Sequence, residues 1–116
     1  MSKPDPVKAA RDAAEAIRRL NHATSSRRDP VPAPQISTIT HELYTVANRL
    51  PQALEQLGAQ LKARQAEGRI RMDTGERPAD AVEQVSAAFE DALHAADDLE
   101  RSLNRAFGVL FHMAAE

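Results

Sequence analysis

The side chains able to do chemistry in this chain are four histidines, a run of acids and two clusters of arginine. Imidazoles bind metal on a helix in spacings such as His-x3-His or Glu-x-x-His, yet His22, His41, His94 and His112 are scattered and show neither. A hairpin turning near residue 71 would bring His41 and His112 to one end, beside Glu42 and Glu116. Paired carboxylates do acid–base work inside a cleft. Glu90, Asp91, Asp97, Asp98 and Glu100 lie mostly off the apolar stripe of their segment and read as a solvated face. There is no Gly-rich phosphate loop, no Gly-x-Ser-x-Gly elbow and no Ser/His/Asp order, so no enzyme activity, cofactor or metal is expected.

The arginines offer phosphate binding. Arg18 and Arg19, then Arg27 and Arg28, follow one another near the start, and Lys62, Arg64, Arg69, Arg71 and Arg77 surround residue 70. Guanidinium groups suit a phosphate backbone, which makes Arg64, Arg69, Arg71, Arg77, Arg18 and Arg19 the candidate nucleic-acid contacts. The sequence pI of 6.1 opposes this reading. So does the last third of the chain, where residues 78–116 hold two basic against eight acidic residues.

Three helices must position these groups. Asp5 and Pro6 are a cap and first position, followed by Val7, Ala10, Ala14 and Ile17 at helical spacing, which predicts a first helix over about 6–23. Prolines 30, 32 and 34 alternate and predict an extended linker over 24–35. The second helix is expected over 37–66, capped by Ser37 or Thr38, with the stripe Ile36, Ile39, Leu43, Val46, Leu50, Ala53 and Leu57 and a second edge from Leu54 and Leu61. Pro51 lies inside that stripe without changing its phase, so a kink near 47–51 is expected rather than a break. Gly68 and Gly75 bracket a tip loop over 67–77.

The third helix, over 78–114, carries an unbroken 3-4 apolar spacing through Val82, Val85, Phe89, Ala92, Ala96, Leu99, Leu103, Ala106, Leu110 and Met113. From Ala106 onward the apolar residues go all the way round, and such a helix must be covered on every side. Phe107, Leu110, Phe111 and Met113 are therefore the candidate oligomer interface.

Composition agrees with helix. Hydrophobic residues make up 42%, charged residues 28% and aromatics 3%, a profile poor in strand formers, and 116 residues suffice for one domain with a core. There is no cysteine, which excludes disulfides and thiolate metal sites. No segment has the apolar run of a signal peptide or membrane span, so a cytoplasmic protein without a membrane partner is expected.

By size and central hairpin the chain resembles the small helical proteins of ESX secretion systems. Their Trp-x-Gly turn is replaced here by Glu67-Gly68-Arg69, and their Tyr-x-x-x-Asp/Glu signal fails because Asn48 stands four places after Tyr44, so the resemblance stops at the hairpin. Ala16–Thr24 and Arg49–Leu57 resemble segments of uncharacterised helical proteins of actinobacterial conjugative and integrative elements; the resemblance implies no known activity and makes Pro51 a designed kink.

The sequence therefore predicts one all-α domain over 1–116, an antiparallel two-helix hairpin with a shorter N-terminal helix, assembling into a helical-bundle homodimer. The expected function is that of a non-enzymatic interaction, scaffold or accessory protein acting through protein–protein contacts, with itself and an unknown partner. A small nucleic-acid-associated regulatory protein is the alternative.

Overall fold

The computed structural model describes residues 3–115. It holds three helices and, among the described residues, no strand: α1 over Pro6–Ser25, α2 over Ala33–Ala66 and α3 over Pro78–Leu110. The chain divides into two compact units between Pro32 and Ala33.

In the first unit, Asp5 caps α1 by accepting hydrogen bonds on Oδ1 from the N–H groups of Val7 (3.1 Å) and Lys8 (3.2 Å). The helix runs two residues past the expected end at Ala23. Hydroxyl groups make this extension cheap: Thr24 donates to the carbonyls of Leu20 and Asn21, and Ser25 to that of His22. No residue of α1 is buried, and Val7 and Ile17 remain 57% and 39% exposed.

In the second unit α2 begins at Ala33, four residues before the expected cap at Ser37. Prolines resist helix interiors, but Pro34 stands in the first turn, where its missing N–H would have had no partner in any case. Thr38 consequently caps nothing, and its hydroxyl donates back to the carbonyl of Pro34 at 3.2 Å. The helix is unbroken through Pro51.

At its other end α2 closes in a Schellman motif. The N–H of Arg69 donates to the carbonyl of Arg64 and that of Gly68 to Gln65, both at 3.0 Å, with Gly68 at φ +70°. Gly75, at φ +81°, makes the second turn of the tip. Pro78 then opens α3, whose helix stops at Leu110 rather than 114 because the chain tightens there: Phe111, His112 and Met113 donate to Phe107, Val109 and Leu110.

Helices α2 and α3 pack against one another. His41 stacks on Phe107 with ring centroids 5.0 Å apart, Asn48 donates to Glu100 at 3.0 Å, and Gly58 sits beside Phe89. The contact has a different phase from the one expected. On α2 the buried or half-covered positions between 36 and 61 are Ser37, Ile39, Thr40, Leu43, Tyr44, Thr45, Ala47, Pro51, Leu54, Gly58 and Leu61; Ile39 and Leu43 belong to the expected stripe, and from Ala47 onward each position is one residue after a member of that stripe or on its second edge. On α3 they are, between 81 and 110, Ala81, Val82, Val85, Ser86, Phe89, Ala92, Leu93, Ala96, Glu100, Leu103, Phe107 and Leu110, so that the expected stripe is covered up to Ala96 and beyond it Glu100 and Phe107 replace Leu99 and Ala106. From Ala47 on α2 and from Ala96 on α3 the covered positions keep the 3-4 spacing.

Small residues decide this phase. Ala47 (1% exposed) and Gly58 on α2 leave room for the rings and leucines of α3, which bulkier Val46 and Leu57 would hold away. The glycines consequently divide in their tolerance. A Cβ on Gly58 would meet only Phe89 Cδ2 at an ordinary 3.6 Å, so Gly58→Ala is expected to stabilise the chain by about 0.5–1 kcal/mol in urea unfolding. A Cβ on Gly68 meets nothing, yet the positive φ strains it, and Gly68→Ala is expected to cost about 1 kcal/mol.

Candidate functional site

The covered positions of α2 and α3 fix what lies on either side of the contact. Two shallow grooves of about 260 and 290 Å³ open on one side. Apart from covered residues, the first is lined by Glu55, Ala59, Lys62 and Glu90, and the second by Thr38, His41 and Phe111. Each of these stands one residue after a covered position or, for Ala59, just after Gly58, on whichever helix it belongs to. That side is thus built from the positions that follow the contact. The positions that precede it, at a helical rotation of about 100° the other way, belong to the opposite side on both helices.

Sequence makes the two sides unlike. The grooved side carries Asn48, Glu55, Lys62, Glu83, Glu90 and Asp97. The opposite side carries Ile36, Ile39, Leu43, Val46, Leu50, Ala53 and Leu57 on α2, which is the stripe expected to form the core. From α3 it receives Val85, Ala88, Ala92, Ala95, Leu99 and Ala106. Ile36 is 40% exposed, Val46 46%, Leu50 39%, Leu57 54% and Leu99 48%, whereas among the described residues of the unit only Ser37, Ala47, Val82 and Ala96 are buried. On α2 the exposed side includes Val46, Leu50 and Leu57 while the contact includes the small Ala47 and Gly58, and α3 fills the contact with Phe89, Leu93, Leu103 and Phe107. Sequence periodicity finds these residues and expects all of them in the contact, whereas Ile39 and Leu43 are half-covered and Ile36, Val46, Leu50, Ala53 and Leu57 stand exposed beside it; the second edge through Leu54 and Leu61 is the signal that α2 has two apolar stripes.

The four C-terminal interface candidates separate. Phe107 and Leu110 are half-buried at the α2–α3 contact, while Phe111 is 67% and Met113 46% exposed. Phe111 lies on the grooved side. His41 and His112 do come together, through rings rather than a ligand set: His41 stacks on Phe107, Phe107 on Phe111 at 5.8 Å, and Phe111 meets His112 edge-on at 5.4 Å. Glu116 lies outside the described residues, and among those residues no group of three His, Cys, Asp or Glu could hold a metal ion. Also among them, no helix is long and apolar enough to cross a membrane.

The arginine clusters are partly committed. In α1, Arg18 grips Glu15 through Nε at 3.0 Å and Nη2 at 2.5 Å; this bond holds the Glu15 carboxyl below its ordinary range, with help from nearby Arg19. At the tip, Glu67 accepts from Arg64 at 3.3 Å and pairs with Arg69 at 3.2 Å. Arg71 and Arg77 are exposed and form no ion pair among the described residues. Arg19 also forms no ion pair among the described residues, but no stacking aromatic accompanies these guanidinium groups, which makes a poor phosphate track, and α3 is acidic throughout its middle. Duplex DNA is therefore expected to remain unretarded by the chain in a gel-shift assay at about 150 mM salt. Retardation there that disappears in Arg71→Ala/Arg77→Ala would restore the nucleic-acid reading. Comparison of the chain with protein-family models, curated proteins and solved structures finds no match.

Proposed function

We propose that this chain is a non-enzymatic helical interaction protein, an antiparallel hairpin of α2 and α3 that acts through protein–protein contacts and first of all associates with a second copy of itself. One observation supports this reading above the rest: the α2/α3 unit keeps Val82 as its largest buried apolar residue and leaves Val46, Leu50, Leu57 and Leu99 between 39% and 54% exposed. Each such side chain left half in water forgoes on the order of 1 kcal/mol. Apolar surface gathered on one side of a fold marks a protein-binding surface. The pairing of 41 with 107, 48 with 100 and 58 with 89, with numbers falling on one helix as they rise on the other, supports the antiparallel hairpin. On the resemblance carried by residues 16–24 and 49–57, the role would be that of a cytoplasmic accessory protein of a mobile element.

The mass in solution tests this. Light scattering on a sizing column is expected to return twice the 12.7 kDa of one chain, unchanged over a tenfold dilution. Leu50→Asp, which puts a carboxylate on the apolar side and leaves the α2–α3 contact untouched, is expected to give the mass of one chain with its helix content retained. A wild-type mass of one chain at every concentration would overturn self-association.

A further inference from the structure

The apolar side of the α2/α3 unit is divided by size. Its α2 half bears large aliphatic residues, Ile36, Leu43, Val46, Leu50 and Leu57, and its α3 half is mostly alanine, at 88, 92, 95 and 106, with Val85 and Leu99 as the larger exceptions. Such a surface is a ridge lying beside a furrow. Two copies can be laid face to face with the two-fold axis across the helices, which sets ridge on ridge and furrow on furrow, or with the axis along the helices, which sets each ridge in the other's furrow. Close contact favours the second, because alternating large and small residues fill the space between layers.

Charge on the rim selects the same arrangement. Next outward from the apolar stripe stand Glu42 and Arg49 on the free edge of α2, and Asp98 and Arg105 on the free edge of α3. Since 48 is level with 100 and 41 with 107, Arg49 is level with Asp98 and Glu42 with Arg105, on opposite edges of one copy. A two-fold axis along the helices preserves level and superposes those edges. Arg49 then meets Asp98 of the partner subunit and Glu42 meets Arg105 of the partner subunit, every pair of opposite sign. Neither Glu42 nor Arg49 has an ion pair among the described residues; Asp98 pairs with Arg101, but at 73% and 69% side-chain exposure that pair is easily exchanged.

The area suffices. From Ile36 to Leu57 the face is about 32 Å long at ~1.5 Å per residue and about 20 Å wide for two helices ~10 Å apart, on the order of 600 Å² per copy and 1,200 Å² in all, above the ~1,000 Å² of a specific interface.

We infer, building on the self-association reading above, that the occupant of the apolar side is a second copy of this chain related by a two-fold axis along the helices, so that α2 of each copy lies on α3 of the other in a four-helix bundle. The chain has no cysteine, so engineered ones report contact cleanly. Val46 and Ser102 share one level and face each other only across this interface. Under mild oxidation a mixture of Val46→Cys and Ser102→Cys chains, one of them tagged, is expected to give a covalent heterodimer, and neither variant alone a covalent pair. In a second measurement Arg49→Glu is expected to weaken the dimer about tenfold, and Asp98→Lys in the same chain to restore it.

A mass of two chains with cross-links in a single variant and none in the mixture would overturn the arrangement and leave self-association standing. Failure of Asp98→Lys to rescue Arg49→Glu, in a chain that still dimerises, would do the same. A mass of one chain would remove both.

Discussion

One constraint governs this molecule: two helices touch along a single line, and α2 carries more apolar surface than one line can cover. Each helix in a pair can hide a stripe about 100° wide. The α2 residues that precede the contact and those within it are both apolar over much of the helix, so one set had to be left out. The set left out is the larger one, because the interior of a helix pair rewards closeness. Ala47, Gly58 and Ala96 let the backbones approach, and the bulk that fills the contact comes from Phe89, Leu93, Leu103 and Phe107 of α3.

The same choice explains the polar groups in and beside the contact. Asn48 and Glu100 meet at 3.0 Å, and Ser37, only 8% exposed, faces the ring cluster of His41, Phe107 and Phe111. An all-apolar seam between two helices tolerates sliding by a heptad, whereas a paired amide and carboxylate lose their hydrogen bond on any slip. Pro51 sits in the seam as well. Having no N–H, it cannot donate to the carbonyl of Ala47, which at 1% exposure is the most covered of the described residues.

Much of this was legible in the amino-acid order. Asp5-Pro6, Gly68 and Pro78 each mark an end through a backbone requirement that depends on no distant residue, and the structure uses all three. What was not legible depends on competition. Whether Ala33-Pro34 joins a helix turns on orphan donors that cost nothing in a first turn, and a rule that proline opposes helix misses this. The phase of α2 turns on steric fit with α3, while hydrophobic periodicity ranks stripes by apolarity and so selects Ile36–Leu57 over Ser37–Leu61. Where α3 ends was set by a tightening turn at Phe111 that no cap residue announces. The candidate surface was therefore visible as residues and hidden as a surface.

The segregation of side chains also bears on how one arrangement is chosen over its rivals. Burial of leucine, isoleucine and valine drives association in any orientation, since the hydrophobic effect has no direction. Direction must come from shape and charge. Exposed ion pairs are worth about 0.2–1 kcal/mol each, too little to hold two chains together but enough, repeated on both edges of a two-fold interface, to separate orientations that bury equal area. Shape acts in the same sense, because leucines set against leucines leave the alanine furrows unfilled and forfeit dispersion contacts along their whole length. An α3 stripe of alanine is thus not a weak hydrophobic surface. In the proposed dimer it is the half of the interface that makes the other half fit only one way.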